Sequence, residues 1–226
     1  PIIPFLKKFS DTIWTDGKVK AILVLRNYAE RMASGYAQGA STNPFASQAH
    51  FEQLIARRLQ KKSQTPDYTP WVAELYDALG KENVCVLLME EIGQIHFWEQ
   101  LQTFCQLEYF QPATMLNGIK NTKRKGKDTW KIQPFDPAQK AHVVASNLIG
   151  FSWPYYLAPA QRKEVMAMIK TKLIAHYTRK YPAANDNRVQ EIQLKAALRT
   201  QIQAHYEAST ARLSALLGKD MAALGY

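Results

Sequence analysis

Two stretches of this chain, "VKAILVL" at Val19 to Leu25 and "NVCVLLM" at Asn83 to Met89, are aliphatic and β-branched, without polar alternation. Such runs are strands covered on both faces, as in parallel sheets. Each leads into a helical pattern. After the first, Asn27 can cap a helix and Glu30, three residues on, can reach back to it as in a capping box. After the second, "HFWEQLQTFCQL" sets Phe97, Trp98, Leu101, Phe104 and Cys105 at helical spacing. Strands alternating with helices predict an α/β fold, a parallel sheet flanked by helices.

Further helices fill the intervals. "HFEQLIARRLQ" places Phe51, Leu54, Ile55 and Leu59 on one face. Thr69 and Pro70 suit the cap and first position of another helix, whose Val72, Leu75, Tyr76 and Leu79 face a core and which Gly80 stops. From Pro112 the chain turns polar, and "NGIKNTKRKGKDTWK" reads as a basic surface loop. The C-terminal half is then helical, with segments from Asp136 and Pro137 towards Ile149, from Pro159 to about Tyr177, and from Val189 to Leu217. In the last, Leu194, Leu198, Ile202, Tyr206, Leu213 and Leu217 share a stripe, and Gly218 ends it. With 226 residues, 46% of them hydrophobic, one domain over residues 1–226 is the expectation.

The formal net charge of +10 calls for an anionic partner, whether nucleotide, nucleic acid, membrane surface or acidic polymer. Two cysteines, Cys85 and Cys105, are too few for a disulfide framework and read as reduced core residues. No apolar stretch has the length of a membrane span. The chain begins with Pro1 and not Met, so a signal or anchor could have been removed before it, and localisation stays open. Metal, dinucleotide and hydrolase chemistry lack their minimal motifs, since Cys-x-x-Cys, His-x-x-x-His, Gly-x-Gly-x-x-Gly and the nucleophile elbow are all missing.

"LRNYAERMASGY", Leu25 to Tyr36, puts Arg26 at a strand's carboxyl end, where α/β proteins bind ligands and helix N-termini face anions. On the following helix Glu30 or Arg31 and Ser34 form a polar stripe, so Ser34 could share an anion with Arg26. The alternative is that Arg26 pairs with a nearby carboxylate and Ser34 faces water.

At these residues the chain resembles the sulfotransferases that use 3′-phosphoadenosine 5′-phosphosulfate (PAPS). Their 3′-phosphate motif is a strand ending in Arg, then Asp or Asn, usually Pro, a Glu/Asp-Arg pair, and a Ser two residues before an aromatic. Arg26, Asn27, Glu30, Arg31, Ser34 and Tyr36 match in order and spacing, with Tyr28 where proline is usual. "LYDALGKENVCVLLMEEI" is similar to the family's helix and strand ending in an acidic pair, here Glu90 and Glu91. "HYEASTARLSALLGKDMAALGY" resembles the C-terminal helix with its Leu-Leu-Gly-Arg/Lys-Asp ending. "KRKGKDTWK" looks like the second phosphate-binding loop.

The resemblance implies a P-loop-like sulfotransferase fold and transfer of a sulfuryl group from PAPS, as co-substrate, to a hydroxyl or amine. Arg26 and Ser34 would hold the 3′-phosphate, and Arg124, Lys125 and Gly126 would contribute from the basic loop. The acceptor would be a carbohydrate or small molecule, and the positive charge favours an anionic glycan. The family's glycine- and threonine-containing loop after a first strand has no counterpart before Val19, so the chain reads as a single sulfotransferase-like domain lacking the 5′-phosphosulfate loop. Either it is the C-terminal portion of a longer enzyme or it has lost the chemistry. No residue is assigned as base, because His50, His96, His142, His176 and His205 match no family position. A non-catalytic module binding a polyanion or nucleic acid, or a degenerate sulfotransferase partner, is the alternative. Oligomeric state is not expected to follow from the sequence.

Overall fold

The structure, a computed structural model, describes residues 19–60, 67–116, 124–126, 128–152, 159–182 and 190–226. It is a mixed α/β protein in which helix predominates. The chain divides into two compact units, each assembled from separate stretches: Pro1–Arg31, Arg58–Asn121 and Ala196–Tyr226 form the first, Met32–Arg57 and Thr122–Lys195 the second.

The first unit is built on a parallel pair, β1 (Ala21–Leu25) and β2 (Val84–Leu88), in register from Ala21 opposite Val84 to Leu25 opposite Leu88. β2 is buried throughout, as its composition predicts. β1 corrects the expectation of a strand covered on both faces: Ile22 and Val24 are nearly half exposed, because alternate side chains of a strand point to opposite faces and, among the described residues, only one face of β1 is covered. Helix α1 (Tyr28–Gly39) follows β1 and runs on into the second unit; α2 (Gln48–Gln60) and α3 (Tyr68–Leu79) come next. Asp67, two residues earlier than the sequence pattern suggests, caps α3 by accepting a hydrogen bond from Thr69 N–H. Gly80 ends α3 at φ +84°, a conformation that suits glycine. Helix α4 (Ile95–Cys105) lays Phe97 against Cys85 and Leu87 of β2, with Trp98, Leu101 and Phe104 around them. Both cysteines are free thiols, Cys85 buried. A short helix α5 (Pro112–Leu116) packs on α4.

The second unit departs further from expectation. Arg124–Gly126 and Thr129–Ile132 are not loop but strands, β3 and β4, and Gln190–Gln193 is a third strand, β5, not the start of the last helix. The three form an antiparallel sheet in the order β3-β4-β5, with Trp130 opposite Ile192. The physical reason is alternation: Trp130 and Ile132 are buried while Lys131 is exposed, and Ile192 is buried between exposed neighbours. Four-residue strands inside polar sequence give too short a pattern to read without their partners. Helices α6 (Pro137–Ser152) and α7 (Pro159–Lys180) pack together within this same unit, and the chain returns to the first unit as α8 (Ala196–Leu217), so the C-terminal half is helical but interrupted by strands. Residues 153–157 of the aromatic stretch "FSWPYYL", at 151–157, and residues 120–123 and 127 of the basic run lie outside the described residues. Among the described residues no helix is long and apolar enough to cross a membrane.

The contrast between the two parallel strands is measurable. Leu88→Ala, at a fully buried β2 position, should cost about 2–5 kcal/mol in urea unfolding. Ile22→Ala on the exposed face of β1 should cost less than about 1 kcal/mol, and equal losses would mean that β1 is covered on both faces after all.

Candidate functional site

The carboxyl ends of β1 and β2 gather residues from three of the four segments on which the resemblance rests. Asn27 Oδ1 accepts a hydrogen bond from Glu30 N–H at 2.9 Å, the predicted cap of α1. The reciprocal bond of a capping box is made differently. Asn27 N–H donates to Glu90 Oε1 at 2.8 Å, so a carboxylate 63 residues away takes the place expected of Glu30. The other oxygen of Glu90 accepts the Tyr226 hydroxyl at 3.0 Å. Glu91 is buried and turned to a different partner: Lys219 Nζ, from the "LLGKD" ending, lies 3.0 Å from its Oε2, and His96 Nε2 lies 3.5 Å from its Oε1. Burial, reinforced by the Glu90 charge, pushes the Tyr226 phenol well above its ordinary range, so it remains a donor.

Glu30 is thereby released to bind Arg26, whose Nη2 stands 3.0 Å from Glu30 Oε2. A pairing of Arg26 with a near carboxylate is therefore present. The opposite oxygen, Oε1, lies 3.9 Å from Nη2 of Arg199 on α8. The Arg26 carbonyl accepts the Tyr68 hydroxyl at 2.7 Å. Arg26 Nε is buried and without a hydrogen-bond partner, and the same holds for Arg31 Nη1. The Arg31 guanidinium is centred 4.9 Å from the Tyr68 ring and 5.7 Å from Trp71, on one turn of α3.

Tyr28, at the position where the resemblance places proline, is the centre of an aromatic stack. Its ring lies 3.8 Å from Tyr206 and 4.9 Å from Tyr68, both nearly parallel, and Tyr226 meets Tyr28 and Tyr68 edge-on. The Tyr28 hydroxyl is hydrogen-bonded with Ser209, and Ser209 donates to Asp67. This stack fastens the start of α1 to α3 and α8, which a proline could not do.

The predicted site residues fall in both units. Arg26 immediately follows β1 and Ser34 is on α1, as expected, but Ser34 is half-buried one turn beyond Glu30 and belongs to the second unit. Tyr36 of the same motif has a structural part within the second unit: its hydroxyl accepts from Ser47 N–H and stands 3.0 Å from His50 Nδ1. Arg124, Lys125 and Gly126 form the edge strand β3, also in the second unit, with a register irregularity between Arg124 and Gly126. The expected loop of free N–H groups is thus corrected to a strand, whose backbone is drawn into the ladder by the burial of Trp130.

Two features escaped the sequence reading. Arg199 carries no motif, being one polar residue among the core-facing Leu198 and Ile202, so nothing marked it. An open cavity of about 500 Å³ lies along α8 and the C-terminal turn, lined by Gln203, Thr210, Ser214, Ala222 and Tyr226 among others, and it includes neither Arg26 nor Ser34. Among the described residues no cluster of three or more His, Cys, Asp or Glu could hold a metal ion. Comparison of the chain with protein-family models, curated proteins and solved structures finds no match in any of the three.

Asp67 gives the site a pH signature. Burial raises its pKa, but hydrogen bonds from Ser209, Thr69 N–H and Arg212 outweigh this and hold it below the ordinary carboxylate value. A depressed folded-state pKa stabilises above the unfolded value, about 3.9, and that stability is lost as pH falls through the folded value. Wild-type stability should therefore drop below about pH 4, and in Asp67→Asn the drop should be shallower. Parallel urea midpoints across pH 2.5 to 6, roughly the carboxylate range, would show instead that Asp67 carries no such linkage.

Proposed function

We propose that the chain forms the nucleotide 3′-end of a PAPS-dependent sulfotransferase of P-loop-like fold. The observation that supports this reading is the meeting of three of its four resemblance segments. Arg26 with Asn27, the Glu90-Glu91 pair, and Lys219 with Tyr226 come together at the carboxyl ends of two parallel strands, where α/β proteins bind nucleotides. Nothing in their sequence spacing requires that meeting.

In this reading Arg26 offers the planar fork of a guanidinium to the 3′-phosphate, with its buried Nε as a donor in reserve. The acceptor oxygen or nitrogen forms its bond to sulfur as the bond from sulfur to the 5′-phosphate oxygen breaks, and adenosine 3′,5′-bisphosphate leaves. By analogy with phosphoryl transfer, positioning and neutralisation of the leaving phosphate supply most of the acceleration. The net charge of +10 suits an acidic glycan as acceptor.

One observation favours a second reading, a degenerate sulfotransferase domain kept for structure. Arg26, Glu90 and Glu91 are each satisfied internally, by Glu30, by Asn27 with Tyr226, and by Lys219. Competition binding separates the two. For a PAPS site, adenosine 3′,5′-bisphosphate should bind far better than adenosine 5′-monophosphate, and Arg26→Ala should cost about 1.5–3 kcal/mol of that binding. Equal affinity for the two nucleotides would support the degenerate reading, and tight DNA binding with a steep salt slope would support a nucleic-acid module.

A further inference from the structure

Glu30 is shared by two arginines that come from opposite ends of the chain. Arg26 Nη2 is 3.0 Å from one carboxylate oxygen and Arg199 Nη2 is 3.9 Å from the other. All three residues belong to the first unit, and their side chains are between 12% and 23% exposed, too shielded for a freely hydrated surface pair. The arrangement leaves donors over. Arg26 Nε and, five residues on, Arg31 Nη1 are both buried without hydrogen-bond partners. A guanidinium presents five N–H groups in a planar fork, and burying a charged donor unpaired is costly. A carboxylate held by a single oxygen uses only one arm of Arg26's fork. A tetrahedral dianion with three acceptor oxygens would take the Nε and Nη2 arms together and still present an oxygen to Arg199.

We propose that Arg199 is a further ligand of the 3′-phosphate and that Glu30 is the internal anion this phosphate displaces. In the unliganded protein the Glu30 carboxylate keeps Arg26 and Arg199 converged and offsets their mutual repulsion. When the phosphate arrives, its charge repels the carboxylate and takes over both guanidiniums, so the site is held ready but carries a built-in competitor. The identity of the ligand rests on the reading of Arg26 as the phosphate contact; the exchange of Glu30 for an anion does not. An ordinary helix pair at four-residue spacing behaves in the opposite way, because removing its acid loosens the arginine and gains nothing in anion binding.

Calorimetric titration with adenosine 3′,5′-bisphosphate, adenosine 5′-monophosphate and inorganic phosphate, on wild type, Glu30→Gln, Arg199→Ala and Arg199→Lys, tests the proposal. Glu30→Gln should bind the bisphosphate and inorganic phosphate several-fold more tightly than wild type. Arg199→Ala should bind them roughly tenfold more weakly, the scale of one charge-assisted hydrogen bond, with Arg199→Lys in between. If wild type prefers the bisphosphate but Glu30→Gln binds it no better, or Arg199→Ala binds it equally well, the exchange is refuted and the nucleotide reading survives. If wild type treats both nucleotides alike while inorganic phosphate still responds to both substitutions as stated, the nucleotide reading fails and the anion exchange stands. Binding of none of the three probes overturns both.

Discussion

A single carboxylate, Glu90, joins the turn after β1 to the last residue of the chain. A carboxylate partly withdrawn from water needs donors, and the first turn of a helix has N–H groups with no acceptor of their own. Glu90 meets both needs at once by accepting from Asn27 N–H and from the Tyr226 hydroxyl. The register of β1 on β2 makes this possible, since pairing Leu25 with Leu88 brings residues just after each strand to the same edge. The two adjacent acids then divide, Glu90 towards α1 and Glu91 towards Lys219 and His96. Moving the register by one residue would exchange their surroundings and leave a buried acid without its cation.

Because Glu90 supplies the bond at Asn27 N–H, Glu30 is free to engage Arg26 and Arg199. The local charge arrangement is therefore a consequence of a long-range contact. The tyrosine stack around Tyr28 has a similar effect on Arg31, whose guanidinium is held over Tyr68 and beside Trp71 rather than by a carboxylate. Aromatic packing and hydrogen bonding with Ser209 replace the pre-set turn that proline would provide, and they connect α1, α3 and α8 in one layer of rings.

The second unit answers to different rules. Its strands are short, and each is stabilised by what lies opposite: Trp130 by Ile192, Thr129 by Gln193. Within it, Gln48 receives Gln193 N–H and Lys195 pairs with Glu52, so β5 is tied to α2 at its end. The basic residues Arg124 and Lys125 owe their backbone conformation to that sheet, and a strand displays N–H groups along one edge only, unlike the anion-cradling turn that their composition suggests.

Composition and period alone determined the parallel pair, the helices flanking it, the Asn27 cap and the position of Arg26 at a strand's end, because each depends on residues within a few positions of one another. The antiparallel sheet was not legible in this way: β3, β4 and β5 are too short to show a period, and the pairing of β4 with β5 joins residues about 60 apart, as Trp130 with Ile192. Nor could spacing reveal that Glu30 would serve Arg26 rather than the cap, or that Arg199 would lie beside it. Those outcomes were decided by tertiary structure. Which acceptor a donor finds depends on the groups that packing brings within about 3 Å of it, and that distance carries no trace in local sequence.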